Sequence, residues 1–240
     1  IDMDTNYVIT FMSEEWIIAN SISFLYIFLC LYIGKSLNKQ NAVTFAKFFV
    51  YIFIFTYIIY HLMHIIDGTW SLNKRLPFHL CGFSSVISCF ILFIDRKQIW
   101  FEFLFYAGVL GGLNALLTPV IDDYTGTTFF YLEYFYSHTS IIILPLFMFY
   151  YMEMQLSRYS WLRAFLIINL LLLIIMPIDF MIDANYMYLK EPPPLDHPLI
   201  SGEWPYYLIN LEFIVLFLLY LTYHIFNSTI LRNKLKKSTF

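Results

Sequence analysis

The sequence predicts an all-α polytopic membrane protein, a bundle of about seven transmembrane helices forming one domain over residues 1–240. Three observations predict it. The chain is 60% hydrophobic and only 13% charged, whereas soluble domains average roughly 45–50% apolar and about 25% charged residues. Seven apolar runs approach the length of about 20 residues that a helix needs to cross a bilayer core. The five tryptophans, Trp16, Trp70, Trp100, Trp161 and Trp204, fall at the ends of those runs, as an interfacial belt requires.

The runs are 15–34, 45–66, 77–95, 98–118, 129–151, 161–183 and 206–227, joined by short polar links and one proline-rich loop, 184–205. No internal repeat of the transporter kind is visible. The acidic N-terminus, with Asp2 and Asp4, argues against a cleavable signal peptide. A net charge of −3 points to no nucleic-acid partner. Nor do the three cysteines form a disulfide framework, because Cys81 and Cys89 lie roughly 12 Å apart along one helix and Cys30 is in another span.

Orientation follows from the basic residues. With the N-terminus outside and the C-terminus inside, the inner segments hold Lys35, Lys39, Lys47, Arg96, Lys97, Arg158, Arg163, Arg232, Lys234, Lys236 and Lys237, against Lys74, Arg75 and Lys190 outside. Cytoplasmic loops carry such an excess. Asp2, Asp4, Asp122, Asp123, Asp196 and Glu203 gather outside.

Depth then sorts the unusual residues. Span two ends outward with His61 and His64, and span three starts with His79 and Cys81. Span four ends near Asn114, span five carries Ser137 and His138 in its upper half, and span six ends at Asp179 and Asp183 before Asn185 and Tyr186. Five spans of alternating direction thus bring polar groups to one level, the outer leaflet. The inner halves contribute few: Cys30, Cys89, Glu102 and His224. Ionisable groups inside a membrane are costly and mark functional sites.

Cys81 is the candidate nucleophile, although a free cysteine commonly serves as a small buried hydrophobe. Pro77 fits the first turn of a helix, which would set Cys81 near a helix N-terminus where a thiolate is favoured. His79 then lies roughly 200° around the helix from Cys81 and cannot touch its sulfur unless residues 77–79 are non-helical. That leaves it a structural or substrate-orienting role. His138, on a facing helix, is the candidate general base; its plainer reading is a buried histidine bonded to a hydroxyl.

His61 and His64 share a helical face and could bind metal with a third histidine, but a supporting or headgroup role fits a lone pair better, and no metal is expected. Asp179 and Asp183, at i and i+4, repel if both are charged. Gly108-x-x-x-Gly112 lets span four pack closely on a neighbour. Pro145 and Pro177 kink spans five and six, and Glu212 should face the bundle interior.

Several blocks carry a family likeness: Leu76-Pro77-Phe78-His79-Leu80-Cys81-Gly82, then Gly108 to Pro119, then Tyr136-Ser137-His138, Asn185 to Lys190 with Pro192-Pro193, and Gly202 to Tyr206. In this order they resemble the YwaF-type integral membrane proteins of Gram-positive bacteria, from about residue 76 onward. That family is similar to a eukaryotic transmembrane acyltransferase of ether phospholipids. More distantly it is similar to the androgen-induced fatty-ester hydrolases, which use a threonine and a histidine. The resemblance implies Cys81 as nucleophile and His138 as its partner.

The expectation is a membrane-embedded acyltransferase of a bacterial plasma membrane, moving a fatty acyl chain from a phospholipid to a lysolipid or other lipid acceptor. Cys81 and His138 are its catalytic pair. His79, Asn114, Asn185, Tyr186 and His64 are candidates for substrate or oxyanion contacts, and no cofactor is needed. The rivals are a transporter or lipid-binding protein with no chemistry, and a histidine–metal lipid hydrolase.

Overall fold

The computed structural model describes residues 6–122, 124, 126–193 and 202–228. Asp2, Asp4, Asp123, Asp196, Arg232, Lys234, Lys236 and Lys237 lie outside them, so the charge asymmetry is visible only in part. The structure is helical almost throughout. Six helices are long and apolar enough to cross a membrane, and a seventh, Leu80–Phe93, is shorter.

Helix α1 (Glu14–Lys35) opens on Ser13, whose hydroxyl accepts the Trp16 amide, with Glu14 and Glu15 in its first turn and Lys35 in its last. Each of these charges complements the helix dipole. Helix α2 (Lys39–Ile66) begins earlier than its apolar run because Asn38 caps it at the Asn41 amide. The polar residues of its first turns extend the helix beyond the apolar run.

Helix α3 (Leu80–Phe90), prolonged by a 3₁₀ turn at Ile91–Phe93, corrects the expected span. Pro77 is not in its first turn. His79 is the extended residue before the helix, at φ −72° and ψ 153°. Gly82 explains the late start: a Cβ there would sit 2.9 Å from the Pro77 Cα and carbonyl carbon. Only glycine lets the preceding chain fold back so closely over the first turn. The resulting helix is about 21 Å long, short of a hydrocarbon core of about 30 Å.

The fourth span is α4 (Gln98–Phe103), a π-helical turn (Leu104–Gly108) and α5 (Val109–Leu117). Helices α6 (Thr128–Tyr151), α7 (Ser160–Ile182) and α8 (Tyr206–Asn227) complete the bundle. Strands β1 (Tyr7–Val8) and β2 (Val120–Ile121) pair antiparallel, Tyr7 opposite Ile121, and tie the N-terminal segment to the end of α5.

Helix α6 is the centre, packed against α1, α2, α3 and α5. In lipid the hydrophobic effect adds little to helix association, so close approach and hydrogen bonds must hold the bundle. Gly108 and Gly112 fulfil the expected packing role: a Cβ would meet the Ile141 carbonyl oxygen at 2.6 Å from the first and the His138 oxygen at 2.8 Å from the second. The Trp16 indole donates to the Leu117 carbonyl (2.9 Å) and the Tyr151 hydroxyl to the Leu31 carbonyl (2.5 Å), clamping α1 on either side.

One end of the bundle is held by Glu102, buried and accepting from Gln98 Nε2, the Ser157 amide and hydroxyl, and Arg163 Nη2 at 2.6 Å. This network gathers the basic loops at one end of the bundle. Lys74, Arg75 and Lys190 are borne by the segments joining the other ends of the helices. We therefore expect a cysteine at exposed position 191 to label with an impermeant reagent in intact cells, and one at exposed position 96 to stay unlabelled. The reverse pattern would turn the molecule over.

Candidate active site

A cavity of about 740 Å³ opens between α3, α5 and α6 on one side and α7 and α8 on the other. That volume is in the range of small-molecule sites, roughly 300–1,000 Å³. Its upper wall is polar, with His61, His64, His79, Cys81, Asn114, Ser137 and His138. Its lower wall is apolar, with Leu172, Met176, Leu211, Val215 and Leu218. Helix α8 packs chiefly on α7, and its C-terminal end is fixed by Phe226 against Phe105, ring centroids 4.9 Å apart. Glu212 faces this cavity, as expected, and accepts from Asn169 Nδ2 at 2.9 Å.

The shortness of α3 lets Cys81 line the cavity from its first turn. The amides of Leu80, Cys81 and Gly82 find no acceptor among the described residues, and no side chain caps them. A Cβ on Gly111 would lie 3.1 Å from the Cys81 sulfur, so the sulfur rests on the face of α5 at Gly111. The next residue, Gly112, lies against the backbone of His138. Adjacent glycines of α5 thus bring α3 and α6 to the same level, and Cys81 and His138 line one space.

His138 is held by its own helix. Its Nδ1 lies 2.6 Å from the Tyr134 carbonyl oxygen. A carbonyl only accepts, so Nδ1 carries the proton and Nε2 the lone pair. Tyr134 is itself fixed, donating its hydroxyl to the Ala115 carbonyl (3.0 Å) and accepting the Val120 amide (3.2 Å). A ring oriented through one nitrogen with the other free is the arrangement a general base needs.

His79 is also oriented, and in the opposite sense. Because residues 77–79 are not helical, the angular argument against its approach to Cys81 fails. Its Nδ1 accepts the Met187 amide at 3.2 Å, and His79 and His138 line the same cavity. The donor comes from a turn, Tyr186–Tyr188, in which Met187 and Tyr188 have φ of 55° and 56°. Two successive left-handed residues that are not glycine cost of order 1–3 kcal/mol each. The Tyr188 carbonyl is secured by the Tyr207 hydroxyl (2.5 Å), and the Tyr188 side chain lines the cavity.

Two expected residues are not brought to the cavity. Tyr186 donates its hydroxyl to the Leu72 carbonyl and accepts the Leu76 amide, both at 2.8 Å. Asn185 caps its own loop, accepting the Lys190 and Glu191 amides and donating to the Glu191 carbonyl. Both hold the scaffold from which His79 and Tyr188 project. Asp179 is buried away from the cavity, while Asp183 pairs with Lys190 at 2.7 Å.

His64 is at the cavity's far edge. Its Nδ1 is 2.7 Å from the Thr69 hydroxyl and its ring stacks on Phe130 at 4.2 Å. His61 accepts from the Trp70 indole (3.1 Å). Both imidazoles are thus tied to the chain that leaves α2. Among the described residues no three His, Cys, Asp or Glu side chains are arranged to hold a metal ion.

A family model described as the TMEM164 family matches residues 10–223. The chain belongs to the TMEM164 family. The matched region takes in all seven helices down to the last turn of α8, and therefore every residue of the cavity. No curated protein and no solved structure matches the chain.

Sequence reasoning passed over Tyr188 and Glu133. Tyr188 stood in the quoted block but beside Tyr186, and nothing in a loop's composition says which ring turns inward. Glu133 is buried and lines the cavity one turn before Ser137, within electrostatic reach of Arg75. A carboxylate inside an apolar run was its available signal.

Proposed function

We propose that this TMEM164-family protein is a membrane-embedded acyltransferase of a bacterial plasma membrane. It transfers a fatty acyl chain from a membrane phospholipid to a lysolipid or other lipid acceptor through a thioester on Cys81. The observation that carries this reading is His138 Nε2, left with its lone pair facing the cavity that the Cys81 sulfur shares. The likeness of the Leu76–Gly82 and Tyr136–His138 blocks to the YwaF-type proteins, a family similar to a lipid acyltransferase, supports the substrate class.

The cavity lies inside the membrane-spanning bundle, away from bulk water, so a standing thiolate–imidazolium pair is disfavoured. The sequence-based expectation of a thiolate at the helix start gives way to coupled transfer. The thiol proton passes to His138 Nε2 as the sulfur attacks the ester carbonyl, and the departing alcohol takes that proton back. An acceptor hydroxyl then repeats the sequence on the thioester. The apolar wall between α7 and α8 receives the acyl chain, and lipid enters sideways from the leaflet.

Protein purified with lipid should show, by intact mass, a fatty acyl adduct that hydroxylamine removes and Cys81→Ala lacks. Lipid that copurifies without any covalent adduct in the parent would replace this reading with a binding protein.

A further inference from the structure

We infer that His79 and Tyr188 form the oxyanion-binding pair of this centre, donating from His79 Nε2–H and the Tyr188 hydroxyl to the carbonyl oxygen of the bound ester. The inference rests on the acyl-transfer reading and names the groups that stabilise its transition state.

The argument begins with the two imidazoles. A backbone amide only donates, so His79 Nδ1, which accepts from Met187, is unprotonated, and the neutral ring carries its proton on Nε2. His138 is locked the other way by a carbonyl. The two rings therefore present opposite groups to one cavity: a proton acceptor on His138 and a proton donor on His79. Neither Nε2 has a hydrogen-bond partner among the described residues. An ester needs both at once, a base for the attacking thiol and a donor for the oxygen that gains charge.

Tyr188 supplies the second donor. Its ring lies 5.5 Å from that of His79, and Tyr188 lines the same cavity as Cys81. That hydroxyl has no partner among the described residues. The strained turn at Met187–Tyr188 has a purpose on this account. The same two left-handed residues aim the Met187 amide at His79 and swing the Tyr188 ring into the cavity. Tyr186 and Asn185 hold the turn from behind.

In the step itself the sulfur–carbon bond forms and the carbonyl π pair moves onto oxygen, where the two donors hold it. The pair returns as the carbon–oxygen bond to the alcohol breaks, and that oxygen takes the proton from His138. No oxidant or other reactant is required.

Attack on a carbonyl develops an oxyanion, but alkylation by iodoacetamide does not, and both require the same thiol and base. Purified protein would be treated with a p-nitrophenyl fatty ester or with iodoacetamide, and modification of Cys81 followed by intact mass. Tyr188→Phe, which removes one oxygen, and His79→Phe should each slow acylation about 10²-fold or more while alkylation stays within about twofold of the parent. Equal slowing of both reactions would reduce the pair to scaffold, and unchanged acylation would also overturn the inference. A parent that alkylates at Cys81 but never acylates overturns the acyl-transfer reading and this inference with it.

Discussion

If the proposed acyl transfer is right, Cys81→Ala and His138→Ala are each expected to lower it by about 10⁴-fold or more, and the double variant to be no worse than either. A nucleophile and its base act as one unit, so removing one member leaves nothing for the other to do. Folding should survive, because both side chains line the cavity and neither is hydrogen-bonded to another helix: His138 bonds only within α6, and the Cys81 sulfur rests on Gly111 by van der Waals contact alone. Cys81→Ser should keep a trace of activity, since a hydroxyl at the same place is a poorer nucleophile at neutral pH. Turnover of fatty esters by purified protein in lipid measures all four. Activity in Cys81→Ala at the parental rate would dismiss the nucleophile, and additive losses would separate the two residues.

The second large effect is on stability. Gly112→Val places a Cβ 2.6 Å from Ile142 Cγ1 and 2.8 Å from the His138 carbonyl oxygen. The second of these is backbone, which no rotamer change relieves, so α5 and α6 must part. Overpacking of this kind costs about 1–3 kcal/mol or more, a fall in melting temperature of about 2–12 °C for a chain of this size. Gly111→Ala is the contrast. Its Cβ meets only the Cys81 sulfur, at 3.1 Å, and should melt within about 3 °C of the parent. Protein melted in detergent checks both, and a Gly112→Val protein as stable as the parent would mean that α5 and α6 do not meet at this glycine.

The spans were legible because lipid imposes one simple demand, about 20 apolar residues apiece. The edges were less so. The start of α2 was misplaced because Asn38 is a cap followed by polar helical residues that an apolar count passes over. The start of α3 was misplaced because Pro77 satisfies the rule for a first helical residue, while Gly82, which lets the chain fold over that turn, acts through a contact five residues back. That shift decided the reading of His79, since the face of a helix on which a residue lies means nothing before the helix begins. The shared depth of His61, His64, Cys81, Asn114 and His138 was visible from alternating span directions alone. The inward turn of Tyr188 was not, because it depends on two left-handed residues that no periodicity announces. Gly108 and Gly112 show the opposite case, their spacing foretelling the packing the structure contains.

The abbreviated α3 ties the molecule to the thickness of its bilayer. With the orientation expected from the basic residues, the Cys81 sulfur, carried on a helix of about 21 Å, would sit at a height fixed from the inner surface, while the ester bonds of surrounding outer-leaflet lipids would ride with the outer one. Thickening the membrane widens that offset, and a protein meets such mismatch by tilting or by pinching the bilayer locally, at fractions of a kcal/mol per Å. Under the acyl-transfer reading, the lipids whose chains the protein exchanges also set the distance their esters must descend. Chain exchange would then feed back on its own rate through membrane mechanics, without any regulatory site.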